Sequence, residues 1–368
     1  MYSKLFGVPS FSQTVAESFI APITDIISYE YTERFARAGD FTLVLAMDKT
    51  LLPKLRINRL IVIGNASLII EGISYDGKNI TVTGKDCCGL LSRRKTIWGV
   101  SQGAGTDGYD VVSGTTVQCI KHYIDNNIIS PADPGRAMPV RWSNPSGITG
   151  LSSDNYMSRL EDLENVVRVL CEDAGIGYKI YASLAQSAAP GLVFSPQQGI
   201  DRSVSQSVRP RVIFSAGWRN VTSVRMEHDI SNLYNAAYVT GNNDLTLEAY
   251  RGNSAPEGIG RIETAVSVSA DDAADIRRFG LCQIEDNTET HSYQIVPVSD
   301  DYGDKYSLGD IVSVKDEYTG NFFNARITEA KLSYSAGSRT VQLTLGTGKQ
   351  KLLQKIVNNM IGGTLRRR

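Results

Sequence analysis

TGKDCCGLLSRR, residues 83–94, carries two adjacent cysteines and closes on a basic pair. Four readings compete for it: a redox site, a metal site, a phosphate-binding turn, or the joint between a strand and a helix. A second stretch, TGKQKLLQK at 347–355, repeats the Thr-Gly-Lys opening and the Leu-Leu pair with no cysteine. The match extends upstream. ISYDGKNITVTGK at 73–85 and LSYSAGSRTVQLTLGTGK at 332–349 both give a strand ending in Ser-Tyr, a polar hairpin, a strand alternating around Thr and Val, and a Gly-Lys exit. Such internal similarity marks a repeated structural unit. The stretch is therefore a strand-to-helix exit used twice. Asp86 is placed to cap a short helix with Leu90 and Leu91 as its apolar contacts, and the cysteines are filling at one copy.

Outward from this joint, period-two alternation fills the N-terminal quarter of the chain. DIISYEYTERF and GDFTLVLAM read as strands, then a helical turn at KTLLPKL. RLIVIG, SLIIEGISY and NITVTG follow, with Gly64-Asn65 and Asp76-Gly77 at their corners. The C-terminal part repeats the plan: YSLGDIVSV, a turn at DEYTGN, the long strand FFNARITEAKLSY, a turn at SAGSR and TVQLTLG. Between the copies the composition changes. Residues 99–116 are Gly- and Ser-rich and read as a loop. TTVQCIKHYIDNNII reads as a helix with Val117, Ile120, Tyr123 and Ile124 on one face. A Pro-rich connector leads to DNYMSRLEDLENVVRVLCEDAG, a helix with Leu160, Leu163, Val167 and Leu170 on one face and Gly175 as its stop. GYKIYAS, GLVFS, RPRVIFS, NAAYVTG and LTLEAY read as short strands, and a helix lies near ADDAADIRRFGLCQI.

The 368 residues give room for about two or three domains, and a chain 42% hydrophobic and 21% charged is globular. A formal net charge of -1 supplies no drive toward nucleic acid or acidic membranes. There is no secretory signal pattern and no apolar run of membrane-span length, so assembly in a cytosol without stable membrane association is expected. The cysteines Cys87, Cys88, Cys119, Cys171 and Cys282 are odd in number, and their spacing fits no C-x-x-C ligand pattern. They read as small, buried, reduced side chains.

Several motifs match chemistry by letters only. GAGTDG (Gly103, Gly105, Gly108) spells a dinucleotide fingerprint, but no buried strand precedes it and no helix opens at its third glycine. GVSQG (Gly99, Ser101, Gly103) spells a nucleophile elbow and lacks the same context. His122, His228 and His291 are scattered; Cys119 and His122 share a helical face but have no orienting third group. Glu161, Asp162, Glu164, Glu172 and Asp173 read as the solvated face of the leucine-bearing helix. No catalytic, metal or cofactor residues are nominated. The C-terminal KQKLLQKIVNNMIGGTLRRR is different: Leu352, Leu353, Ile356, Val357 and Met360, continued by Ile361, make one apolar stripe. It reads either as a helix closing its own domain or as a partner-docking helix.

This arrangement resembles the tail-hub (baseplate hub) proteins of long-tailed phages, siphophage type. ARAGDFTLVL, ITVTGKDCCGLLSRR, NNIISPADPGRAMPV, SNLYNAAYVTG, YSLGDIVSV and ARITEAKLSYSAGSRTVQLTLG carry the resemblance, in the family's order across nearly the whole chain. The resemblance implies a β-rich α+β fold in which two related small tube-like β-barrel domains flank an inserted α+β region. The expected divisions are 1–96 for the first barrel, 97–289 for the insertion (two small subdomains), 290–348 for the second barrel segment, and 349–368 for the helix and basic tail. It implies three copies around an axial channel, a pseudo-sixfold ring matching a sixfold tail tube. The implied partners are the chain itself as a homotrimer, the tail tube or distal tail protein, and a tip, spike or fibre protein. DNA passes only in transit, and no cofactor is implied. The expected location is the virion tail, assembled in host cytoplasm. Some relatives carry a hydrolase after the hub; this chain stops before one, so a non-enzymatic structural role is expected. The alternatives are a cell-wall hydrolase of the tail tip, which needs facing carboxylates, and a surface-glycan module, which needs Trp142, Trp218 and Tyr250 gathered on one face.

Overall fold

The computed structural model describes residues 3–346 except 13, 98–109, 185–190, 232, 251–253, 269–270, 287–289 and 336. Its N-terminal strands are β1 (Ser3–Phe6), β2 (Phe19–Ile23), β3 (Ile26–Arg34), β4 (Asp40–Ala46), β5 (Leu60–Ile63), β6 (Ala66–Tyr75) and β7 (Asn79–Asp86). They hydrogen-bond in the order β3-β4-β7-β6-β5-β1-β2. Alternation sets the faces: in β4, Phe41, Leu43 and Leu45 enter the core while their neighbours face outward. In β5 every residue is buried. Ile61 and Ile63 face the barrel core, and Leu60 and Val62 face the core of the insertion. A continuous apolar run is what a strand covered on both sides requires. After β7 a 3-10 helix runs over Cys87–Arg93, and the Asp86 carboxylate accepts from the Cys88 N–H at 3.0 Å. The joint read from the sequence is there, capped as expected.

The inserted region begins with β8 (Asp110–Thr115), α1 (Thr116–Ile124), β9 (Val140–Trp142), β10 (Ser152–Ser158), α2 (Leu163–Ala174), β11 (Gly177–Ala182) and β12 (Leu192–Gln197). Residues 110–115, read as loop, are a strand paired with β10. The helix read from Asp154 begins only at Leu163. Tyr156 and Met157 are buried in β10, and Leu160 sits exposed at φ 55 in the turn between strand and helix. Local periodicity favoured a longer helix; pairing with β8 captured its first turns instead. The helix stop is Gly175, left-handed at φ 63 as its position demands.

Next come β13 (Ile213–Phe214), β14 (Val221–Asp229), β15 (Ala236–Thr240), β16 (Thr246–Tyr250), β17 (Glu263–Ser267), α3 (Ala273–Asp286), β18 (Thr290–Pro297), β19 (Ile311–Lys315), β20 (Phe322–Ser335) and β21 (Ser338–Gly346). Strands β15–β17 form a small sheet under α3. Strands β13 and β14, grouped with the insertion by composition, pair with β19 and β18 instead. The β15–α3 excursion separates β14 from its partner β18 and hides the hairpin from a linear reading.

The two barrels are related strand by strand. The first gives the path β1-β5-β6-β7-β4-β3 and the second β13-β19-β20-β21-β18-β14. The strands of each path occur in the same chain order. All these pairs are antiparallel in both copies except that β13 lies parallel to β19. With about 45% of residues in strands and 18% in helix, the chain is a β-rich α+β protein of two related barrels flanking an α+β insertion.

Candidate functional site

The two barrels are welded into one sheet. Strand β20 leaves β19 after Arg326, bulges between Ile327 and Glu329, and then pairs with β3 from Glu329↔Arg34 to Ser335↔Ser28. Arg34 holds Glu329 at 3.0 Å and Asp40 at 2.6 Å, and Lys331 faces Glu30 at 3.3 Å. Such half-exposed pairs add little energy but fix the register of the weld.

Beside the weld, all three units meet at Phe35. Its ring lies under the Arg326 guanidinium of β20, 5.3 Å from the ring centre. Two glycines close over it. A Cβ at Gly177, from the insertion, would stand 2.2 Å from the Phe35 carbonyl; one at Gly309, from the second barrel, would stand 2.2 Å from its ring. Gly309 is also held at φ +90, where a side chain is strained. The free edge of β11 then zips onto the first barrel. Its N–H groups at Tyr178, Ile180 and Ala182 donate to Phe35 O (3.0 Å), Cys88 Sγ (3.2 Å) and Ser67 Oγ (2.9 Å). Cys88 is thus an acceptor in a joint. Burial pushes the Cys87 and Cys88 thiols well up, which removes them as nucleophiles at neutral pH.

Two buried carboxylates brace this joint. Asp86 accepts from the Tyr31 hydroxyl and the Gly39 and Cys88 N–H groups, each at 3.0 Å. Burial raises its pKa to about 6 against the pull of those donors. Asp310 fastens the chain leaving the insertion, accepting from Ile200 N at 2.7 Å, Arg202 Nε at 2.9 Å and Ser307 N at 3.0 Å. The acids of α2, read as a solvated face, also do part of this bracing. Glu164 accepts from Ala38 N at 3.0 Å, and Glu172 holds Arg37 at 3.2 Å and Arg168 at 2.7 Å. A cleft of about 920 Å³ opens between the three units beside these groups.

Of the residues nominated from sequence, Leu352, Leu353, Ile356, Val357 and Met360 lie outside the described residues, as do GVSQG, GAGTDG and the second Gly-Lys exit. His122 Nε2 faces the buried Asp110 carboxylate at 2.6 Å, and the Cys119 thiol points to Gly114 O at 3.9 Å. His228 and His291 are register partners in the β14–β18 pairing. Trp142 lies in β9, Trp218 in the turn between β13 and β14, and Tyr250 at the end of β16, with Trp142 stacked on Phe194 at 5.1 Å. Among the described residues, no group of three or more His, Cys, Asp and Glu side chains is placed to hold a metal, and no helix is long and apolar enough to cross a membrane. The Phe35 knot was missed by sequence reading, since glycines at 177 and 309 signal only turns until their partner is known.

Known proteins repeat this architecture. A prophage tail protein, gp18, from Listeria monocytogenes EGD-e superposes with a TM-score of 0.51 at 12% identity, covering 94% of this chain and 96% of that one. A tail protein from Neisseria meningitidis MC58 gives 0.56 at 15% identity, covering 95% and 99%. The 43 kDa tail protein of prophage MuSo2 from Shewanella oneidensis gives 0.56 at 13% identity, covering 94% and 97%. No curated protein matches by sequence. The profile of the family described as Siphovirus ReqiPepy6 Gp37-like protein matches residues 17–347. A welded double barrel whose buried polar groups serve its joints accords with that match: the chain belongs to the siphovirus Gp37-like family, a structural protein of the phage tail and its baseplate.

Proposed function

We propose that three copies of this chain form a ring that joins the tail tube to the tip and keeps an axial channel for genome passage, without enzymatic activity of its own. The observation that carries this reading is the weld and its unused counterpart. In each chain β3 of the first barrel pairs with the outer part of β20 of the second. The equivalent of β3 is β14, which ends the sheet. The equivalent of β20 is β6, which leaves β5 after Ile69, bulges between Ile70 and Gly72, and runs on to Tyr75 with no strand on that side among the described residues. One weld is closed within the chain, and its two halves stand open at opposite ends. Joining β14 of one copy to β6 of the next repeats the same joint, and a closed ring is the arrangement that leaves no such edge unpaired.

The register follows from the repeat. Leu332 pairs with Val341 as Ile73 pairs with Val82. Tyr31 reaches Gly84 through Phe41, as Val224 reaches Leu343 through Ile295. Since Tyr31 faces Leu332 in the weld, Val224 faces Ile73 of the next copy. A chain carrying Val224→Cys and Ile73→Cys, oxidised in assembled tails, is expected to give a cross-linked ladder that stops at three copies. A ladder stopping at two or at six, or cross-linking no better than with Val224 paired to an exposed cysteine elsewhere, would refute the ring.

The tail tube or a distal tail protein on one side, and a tip, spike or fibre protein on the other, are the partners of this reading. A Francisella PdpA-VgrG complex contains a chain that superposes with a TM-score of 0.52 at 8% identity. This chain spans 52% of that one's length. The stripe from Leu352 to Met360 is proposed as the docking helix for the tip, spike or fibre protein.

A further inference from the structure

The Phe35 knot has a counterpart on the first barrel. Gly309, which lies against the Phe35 ring, is fixed by two backbone bonds: its N–H donates to Ile327 O and the Ile327 N–H to Asp310 O, both at 2.8 Å. Asn58 is fixed the same way, its N–H donating to Ile70 O at 2.8 Å and the Ile70 N–H to Arg59 O at 3.0 Å. Both residues are left-handed, Gly309 at φ 90 and Asn58 at φ 66. Ile327 and Ile70 each stand just before the bulge of their strand. Arg326 covers Phe35; beside Asn58 the guanidinium is that of Arg93, which donates to Asn58 Oδ1 at 2.8 Å and Glu71 Oε1 at 3.0 Å.

The two places differ in what covers them. Gly309 is buried under Phe35, whose own N–H donates to Thr328 O at 3.0 Å across the weld. Asn58 is exposed, and Ile57, which precedes it as Leu308 precedes Gly309, is 50% exposed. The floors differ too. A Cβ at Gly309 would stand 2.2 Å from the Phe35 ring, and Asn58 carries a Cβ. An aromatic ring at the same depth is excluded there, so the shallower place suits an aliphatic side chain.

The weld shows where such a side chain comes from. Phe35 follows β3, and the end of β14, the strand equivalent to β3, carries Met226 and Ile230, 39% and 51% exposed. Charge agrees with this origin: Arg56, Arg59 and Arg93 flank the Asn58 place, and Glu227 and Asp229 lie between Met226 and Ile230. Exposed apolar side chains rimmed by opposite charges on two surfaces are the pattern of a protein–protein contact. We infer that the Asn58 place is a seat for a second copy of this chain, whose Met226 and Ile230 pack on Ile57 and Asn58 as Phe35 packs on Gly309 within one chain. The seat rests on the ring reading and adds, to its backbone joint, the side chains that select one copy for the next. Arg93, from the basic pair that closes the strand exit, is its positioning residue.

Counting copies of the full chain per purified tail, by quantitative mass spectrometry, tests it. The parent should give three. Ile57→Asp should leave the melting temperature of the isolated chain level, since the residue is half exposed, but lower incorporation into tails at least about 10-fold. Adding Ile230→Lys or Met226→Lys to that variant should restore incorporation, because the lysine then meets the new aspartate across the joint. Three copies per tail from Ile57→Asp alone would overturn the seat and leave the ring standing. A loss that neither lysine repairs would assign Ile57 to a different tail protein, and a lowered melting temperature would assign it to the chain's own fold; each overturns the seat. A parent count other than three would overturn the ring, and the seat with it.

Discussion

Gly177→Ala is the sharpest probe of the three-unit joint. The added methyl would stand 2.2 Å from the Phe35 carbonyl and 2.5 and 2.7 Å from its ring carbons. Ordinary contact begins near 3.4 Å, so Phe35 or β11 must move by about 1 Å, and close packing leaves no slack for that. Overpacking of this kind costs about 1–3 kcal/mol. Displacing the Phe35 carbonyl also weakens its bond from Tyr178 N–H, about a further 1 kcal/mol. The expected loss is about 2–4 kcal/mol, read as a lower denaturation midpoint in urea. Gly77→Ala, with open space around its Cβ, is the control and should stay within about 1 kcal/mol of the parent. Because two of the three close contacts are with the Phe35 ring, Phe35→Ala should relieve part of the clash. The double-mutant cycle should show coupling of at least about 1 kcal/mol. A Gly177→Ala protein within about 0.5 kcal/mol of the parent, or an additive cycle, would refute the joint as drawn.

Three further outcomes are expected. Asp86 holds its proton to about pH 6 when folded, above an ordinary value near ~3.9, so the folded state binds more protons in that window. Its contribution is fully present below about pH 4 and lost by about pH 6, a fall of about 2–3 kcal/mol; the difference in stability between the parent and Asp86→Asn should carry that slope, and a flat difference across the window would count against it. Cys87→Ser with Cys88→Ser should cost about 1–3 kcal/mol yet leave a folded chain, since both thiols are buried; a metal bound stoichiometrically by the parent and lost in the double variant would contradict the structural role. Truncation after Thr347 should leave a cooperative melt but abolish recruitment of the distal partner, and immediate aggregation would show that the stripe serves the chain's own core.

The elements legible in the sequence were those whose signals are local. Asp86 before Cys87, Gly175 after α2 and Asp76-Gly77 between β6 and β7 mark caps and a turn whose requirements are met within a few residues. The repeat was legible because ISY and LSY each precede a hairpin of the same kind. Misreadings arose where a distant strand outbid local periodicity: β10, read as helix, is held by β8, and β14 is held by β18 across the β15–α3 excursion. The α2 acids looked solvated because a helix wheel shows which face is polar and cannot show that Ala38 and Arg37 wait on that side.

The sequence by itself determined the β-rich class and the repeated strand–hairpin–strand unit, because alternation, turn chemistry and composition are properties of neighbours along the chain. Only the tertiary structure decided that the barrels share one sheet through β3 and β20, that Phe35 is locked between Gly177 and Gly309, and that Cys88 receives a strand of the insertion. Each of these is a contact between residues far apart in sequence. Its strength depends on close approach of surfaces, and no local pattern encodes which two surfaces will meet.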